Sequence, residues 1–246
     1  MRIPRFHAPQ AAPGARLELP AHAAHHARDV LRIRPGAAVR VFDGRGREWE
    51  ARVESVTRQG VRLHLGAPAT PLPEPGLPLH LALSALKGDR MEWVIQKGTE
   101  LGVAEIAPLI TARTESAARP ALGGTRQERW EKVASGAAEQ CGRAVVPRIA
   151  PTRRLAELLA EPLEGQRLIL REPPSAPPLG SRPAPGAAGL WLLIGPEGGW
   201  EQAELEAASA AGFSAVSLGP RVLRAETAAV AAVAAAGLLW GDLGQL

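Results

Sequence analysis

Four prolines within eight residues, Pro71-Leu-Pro-Glu-Pro-Gly-Leu-Pro78, divide the chain. Proline lacks a backbone donor and fixes φ, so neither a helix nor a central strand runs through such a segment. The patterns on its two sides differ. Before it, residues 37–42 (Ala-Ala-Val-Arg-Val-Phe), 48–56 (Glu-Trp-Glu-Ala-Arg-Val-Glu-Ser-Val) and 61–65 (Val-Arg-Leu-His-Leu) alternate apolar and polar side chains, with turn chemistry at Asp43-Gly44 and Gln59-Gly60. That period belongs to half-buried antiparallel strands, and several of them in about 70 residues predict a small β-barrel. After it, apolar runs at 79–86, 104–110, 168–170, 190–194 and 215–218 are separated by segments of helical character. Strands alternating with helices predict an α/β domain built on a mostly parallel sheet. The expected domains are residues 1–72 and 73–246.

Within the second domain, Met91, Val94, Ile95 and Leu101 fall on one face of a helix over 89–101, and Thr125 with Glu128 reads as the capping box of the next. A third helix is expected near Glu201. The last, at about 225–239, is rich enough in alanine for another backbone to approach it closely, in the core or across a dimer interface. Residues 173–189 contain six prolines and few apolar side chains, which predicts a mobile surface loop with no core element.

Charge is unevenly spread. Residues 1–70 hold 12 arginines against 6 carboxylates, whereas the remainder holds 17 basic and 19 acidic residues. Guanidinium groups suit phosphates and stack on bases, so the first domain is a candidate RNA-binding surface; a solvated basic face fits the same composition. The first seven residues contain no secretory apolar run, and the longest apolar stretch, Ala228–Trp240, spans 13 residues where a membrane span needs roughly 20. A cytoplasmic protein with no membrane partner is expected. Cys141 is the single cysteine, so no internal disulfide forms, and His22, His25 and His26 lack companion ligands; no metal is expected. Walker loops, G-x-G-x-x-G, H-E-x-x-H and C-x-x-C are absent, which removes the commonest nucleotide and metal chemistries.

Two segments carry the remaining chemistry. In Leu192-Leu-Ile-Gly-Pro-Glu-Gly-Gly-Trp200 an apolar strand enters a loop with three glycines and then a helix. In Ser217-Leu-Gly-Pro-Arg-Val-Leu-Arg-Ala-Glu-Thr-Ala228 a second strand ends in Gly-Pro and leads through Arg221 and Arg224 to a helix start, where Glu226 or Thr227 also suits a cap. Ligands collect at the carboxyl ends of strands in open α/β sheets, so two adjacent loops of this kind can enclose one flat ligand.

These two motifs, together with Gln96-Lys-Gly-Thr-Glu-Leu-Gly102 and Glu139-Gln140-x-x-Arg143, resemble the RsmE family of ribosomal RNA methyltransferases. The resemblance extends to Arg5-Phe6, His26 with Val30-Leu31-Arg32, Gly36 and Phe42-Asp-Gly44, and so covers nearly the whole chain. The departures are the insertion at 173–189 and His7 in place of a second aromatic. The resemblance implies a PUA-like RNA-binding barrel followed by a SPOUT domain with a deep trefoil knot. It implies methylation of uridine N3 in 16S ribosomal RNA of the small subunit, with S-adenosyl-L-methionine as cofactor and a homodimer as the working form. Carried over by motif, the cofactor site comprises Leu170, Ile194, Gly195, Pro196, Glu197, Gly198, Gly199, Leu218, Gly219, Arg221, Leu223, Arg224, Thr227 and Ala228. Arg224 and Glu226 are the expected catalytic pair, with Glu197 a second candidate proton acceptor, and Arg5, His26, Arg32, Lys97 and Arg143 are the candidate RNA contacts. A SPOUT enzyme acting elsewhere on RNA, or an RNA-binding protein without catalysis, are the alternatives.

Overall fold

The structure, a computed structural model, describes residues 3–114, 124–172 and 176–244. The chain divides into two compact units, one of Met1–Glu74 with Ser135–Val146, the other of Pro75–Ala134 with Pro147–Leu246.

The first unit holds β1 (Arg5–His7), β2 (Arg16–Glu18), a short helix α1 (Ala21–His25) that continues as a π-helical turn over His26–Val30, β3 (Ala38–Phe42), β4 (Glu48–Val56) and β5 (Val61–Ala69). They form one curled sheet in the order β1-β3-β4-β5-β2, antiparallel except for β1 beside β3. The predicted alternation sets its register. Val39 faces Ala51 and Val41 faces Trp49, all buried, while Glu50 opposite Arg40 points to solvent. Sliding the pair by one residue would expose the valines and bury the charges, so the apolar face fixes the pairing. β1 and β2 are too short to display a period; Phe6 and Leu17 anchor them in the same core. Phe42, Ala138 and Ala144 make a smaller cluster, which explains why Ser135–Val146 belongs to this unit although a linear reading puts it with the second domain.

The second unit is built on β6 (Leu79–Ser84), β7 (Glu105–Ile110), β8 (Arg148–Ile149), β9 (Arg153–Arg154), β10 (Gln166–Leu170), β11 (Leu190–Ile194) and β12 (Ser214–Val216). The order is β12-β10-β11-β6-β7-β8, with β9 also on β7, and every pair is parallel. A parallel sheet is covered on both faces, and β11 is accordingly apolar and buried at all five positions. The helices are α2 (Arg90–Glu100), α3 (Gly124–Cys141), which belongs to this unit only through Ala134, α4 (Leu155–Leu159), α5 (Gln202–Ala210) and α6 (Ala225–Trp240). α3 already includes Thr125 in its first turn, so Thr125 is not its cap. At α5, which starts near Glu201 as expected, the Glu204 carboxylate accepts the Glu201 backbone N–H at 3.1 Å. The small residues Ala229, Ala232, Ala236 and Gly237 form the buried face of α6, which packs on α2, β6 and β11.

The proline-rich stretch corrects one expectation. Residues 173–175 lie outside the described residues, but the rest is anchored: the Leu179 N–H donates to the Ser217 carbonyl and the Ser217 N–H to that of Pro177, both at 2.9 Å. Leu179 is 3% exposed. One inserted leucine, two backbone bonds and the side-chain bonds of Ser217 to the Ala176 carbonyl and of Arg182 to the Ala215 carbonyl hold the segment to the end of β12, and none of these shows in a composition dominated by proline.

Candidate active site

The carboxyl ends of β10, β11 and β12 lie side by side, and the loops leaving them enclose a cleft of about 710 Å³. This is within the range of about 300–1,000 Å³ usual for small-molecule sites. Leu170, all of Ile194–Gly199, Leu218, Arg221, Leu223, Arg224 and Ala228 line it, so the structure brings these expected positions together. Gly219, Glu226 and Thr227 are not among the lining residues, and Thr227 is exposed on α6. The N-cap of α6 is Arg224, so neither Glu226 nor Thr227 caps the helix; both sit within its first turn.

Local chemistry shapes the loops. The indole N–H of Trp200 donates to the Leu170 carbonyl at 3.0 Å, tying the segment after β11 to the end of β10. Gly195 packs beneath that indole, where an added Cβ would lie 2.8 Å from Cε2. Gly199 and Gly219 have φ of +73° and +97°, a left-handed backbone that side chains disfavour. Apolar walls from Leu170, Ile194, Leu218 and Leu223, with exposed loop backbone between them, fit an adenine nucleoside, which needs a flat apolar slot and a few polar partners. Five arginines line the cleft against two glutamates, a balance that favours an anionic macromolecule at its mouth.

Three of those arginines, Arg90, Arg113 and Arg171, lie outside the two motifs. Arg90, the first residue of α2, pairs with Glu197 of the glycine loop, and its Nε lies 3.9 Å from Oε1 of Glu226. The Glu226 side chain is 14% exposed, and its Oε2 is buried without a hydrogen-bond partner. Arg113, beyond β7, donates to the Gly198 carbonyl at 2.9 Å. Its position is set by a buried hydroxyl cluster: Thr114 Oγ1 accepts the Thr111 N–H at 2.7 Å and lies 2.9 Å from Ser84 Oγ. By contrast, Arg224 is exposed in the cleft and makes no ion pair among the described residues. A signal for Arg90 was present: a cation in the first turn of a helix opposes the macrodipole, which costs about 0.3–1 kcal/mol unless carboxylates answer it.

The expected RNA contacts separate into two groups. His26 and Arg32 are exposed on the first unit, Arg32 with φ of +51°. Arg5 is not available for RNA: it pairs with Glu48 at 2.8 Å, donates to the carbonyls of Ala138 and Arg143, lies over the Phe42 ring, and its side chain is 7% exposed. Arg143 is likewise withdrawn, bonded to Glu74 at 3.0 Å with a side chain 10% exposed. Both expectations are corrected for one reason: a buried guanidinium is retained only with its carboxylate and carbonyl partners, which occupy the donors a phosphate would need. Lys97 is half-buried and held by Glu100 at 2.8 Å, three residues on along α2. His25, of the histidine trio, lies 2.6 Å from Asp29.

The family model "RNA methyltransferase domain" matches residues 73–237, and "RNA methyltransferase PUA domain" matches residues 19–65. The chain is 35% identical over 216 residues to ribosomal RNA small subunit methyltransferase E of Synechocystis sp., covering 85% of this chain and 69% of the relative. It is similar in structure to ribosomal RNA small subunit methyltransferase E from Neisseria gonorrhoeae bound to S-adenosyl methionine, with a TM-score of 0.88 and 37% identity over 98% of this chain and 99% of the other. A methyltransferase structure from Legionella pneumophila in complex with the bound cofactor SAM gives a TM-score of 0.90 at 36% identity, over 98% of this chain and 100% of that one.

Proposed function

The chain belongs to the ribosomal RNA small subunit methyltransferase E family, and from that premise we propose that it methylates N3 of one uridine in 16S ribosomal RNA, using S-adenosyl-L-methionine. The observation that carries the reading is the cleft at three adjacent strand ends, a nucleoside-sized apolar slot lined by Arg224, which has no ion pair among the described residues.

Leu170, Ile194, Leu218 and Leu223 would hold the adenine, and backbone of Gly195–Gly199 and Leu218–Ala228 the ribose and its polar groups. Bound there, the cofactor supplies an electrophilic methyl group on a sulfonium. Uracil N3 carries a proton at neutral pH, so the protein must accept it as the new bond forms. Glu226 is the acceptor: its buried Oε2 lacks a donor, and a buried polar oxygen without one is costly until an N–H reaches it. Negative charge then develops on O2 and O4. Arg224 stands at the amino end of α6 with its charge uncommitted, so guanidinium and helix dipole both favour that anion. Arg90 is less suited to this task because carboxylates already engage it.

Residues 1–72 are proposed to grip the RNA backbone through exposed groups such as Arg32 and His26, with residues 73–246 performing the transfer. An unpaired uridine is the cheapest to bring to the cleft, since unstacking is then partly prepaid. The small ribosomal subunit is the proposed substrate particle and the cytoplasm the compartment. No described helix is long and apolar enough to cross a membrane. A homodimer and the trefoil knot are further proposals of family membership; Leu238 and Leu239, 67% and 47% exposed at the end of α6, support pairing of copies. Transfer of a labelled methyl group to 16S RNA, with mapping of the modified base, tests the reading.

A further inference from the structure

We propose that Arg90 is a positioning residue for the reaction: it pairs with Glu197 and reaches to 3.9 Å from Glu226, so that the Glu226 carboxylate is held at the start of α6 with one oxygen uncommitted. This rests on the function proposed above. Glu197 belongs to the loop after β11 and Glu226 to the first turn of α6, two segments that no other ion pair joins among the described residues. The arginine reaches both from the start of α2, a third element. With Nε 3.9 Å from Oε1, attraction orients the carboxylate without using Oε2, the oxygen left without a partner.

Placing a cation at the positive end of α2 opposes the local preference, and rules of this kind are broken most often where function requires it. In the step so arranged, the uridine N3–H bond breaks and its proton passes to the Glu226 carboxylate. The pair left on N3 forms the bond to the methyl carbon, and the carbon–sulfur bond breaks with its pair staying on sulfur. The product is N3-methyluridine, a neutral thioether and a protonated Glu226, which returns its proton to solvent. Arg90 touches none of the reacting atoms. It fixes the acceptor, and misplacing a reacting group by about 1 Å costs about 10²-fold in rate.

The test is a double-variant cycle on the full chain: Arg90→Gln, Glu226→Gln and both together, with Arg90→Lys as the conservative variant. Methyl transfer to 16S RNA gives kcat and KM, calorimetry gives S-adenosylmethionine affinity, and melting temperature reports folding. The expected result is a fall in kcat of roughly 10- to 10²-fold for Arg90→Gln, with KM and cofactor affinity little changed and partial recovery in Arg90→Lys. The double variant should be no slower than Glu226→Gln alone, because an arginine that acts through the carboxylate has nothing to position once the carboxylate is gone. Additive losses, or a loss confined to cofactor affinity or melting temperature, would overturn the proposal. Failure of the wild type to methylate RNA would instead overturn the function itself and this proposal with it.

Discussion

The indole N–H of Trp200 and the carbonyl of Leu170 meet at 3.0 Å, joining the loop after β11 to the last residue of β10. Gly195 lies directly against the same ring. One side chain therefore holds two walls of the cleft in register, and it can do so only while residue 195 has no Cβ.

It follows that Gly195→Ala drives a methyl group into the Trp200 ring. Overpacking of this kind costs about 1–3 kcal/mol, and part of it should appear as weaker cofactor binding because the bond to Leu170 is displaced. Calorimetric titration with S-adenosylmethionine checks this, and an affinity equal to wild type would show that Trp200 does not shape the site.

Arg224→Ala should reduce turnover by about 10²–10³-fold while the protein still binds cofactor, the scale of loss seen when one group stabilising a developing oxyanion is removed. Turnover assays paired with calorimetry separate the two effects. Wild-type turnover would remove Arg224 from the mechanism.

Arg5 and Arg32 should behave oppositely although both lie in the basic first unit. Arg32 is exposed, and Arg32→Gln should weaken RNA binding and reduce the slope of log affinity against log salt by about 1. Arg5→Gln should instead lower the melting temperature, since it leaves the buried Glu48 with only the 3.9 Å ion pair to Arg40, a loss of about 1–3 kcal/mol. RNA titrations at several salt concentrations, with thermal melts, distinguish them.

Legibility followed length and period. The strands over 37–42, 48–56 and 61–65 alternate over five or more residues, the helix over 89–101 is long enough for one face to show, and that over 225–239 shows as a run of alanine. β1, β2, β8 and β9 have two or three residues each, below any period, and take their places from long-range pairing alone. In the site, the glycine loop and the Arg224 segment were readable because strand, turn and helix follow one another in sequence. Arg90 and Arg113 reach the cleft from loops and helices far along the chain, and only the strand order brings them there. The errors on Arg5 and Arg143 have the same origin: an arginine in a basic stretch reads as a phosphate contact until its buried carboxylate is known.

Acid should loosen the second unit through Glu105. Burial pushes this carboxyl up, but the His80 ring at 3.3 Å and the Arg148 guanidinium outweigh it and hold the group below its ordinary value of 4.5. A carboxyl depressed by folding stabilises the protein above its unfolded pKa, and that contribution is lost as pH falls through the folded value. Glu105→Gln should therefore cost about 1–3 kcal/mol at neutral pH and flatten the acid limb of melting temperature against pH below about 4. An acid limb as steep as that of the wild type would show that Glu105 does not set it.

The most direct test of the account is transfer of labelled methyl from S-adenosylmethionine to 30S particles and to naked 16S RNA, followed by mapping of the modified nucleotide. The account predicts one N3-methyluridine in 16S RNA, absent with Arg224→Ala. Methylation of a different base or a different RNA, or no transfer by a protein that binds the cofactor, would contradict it.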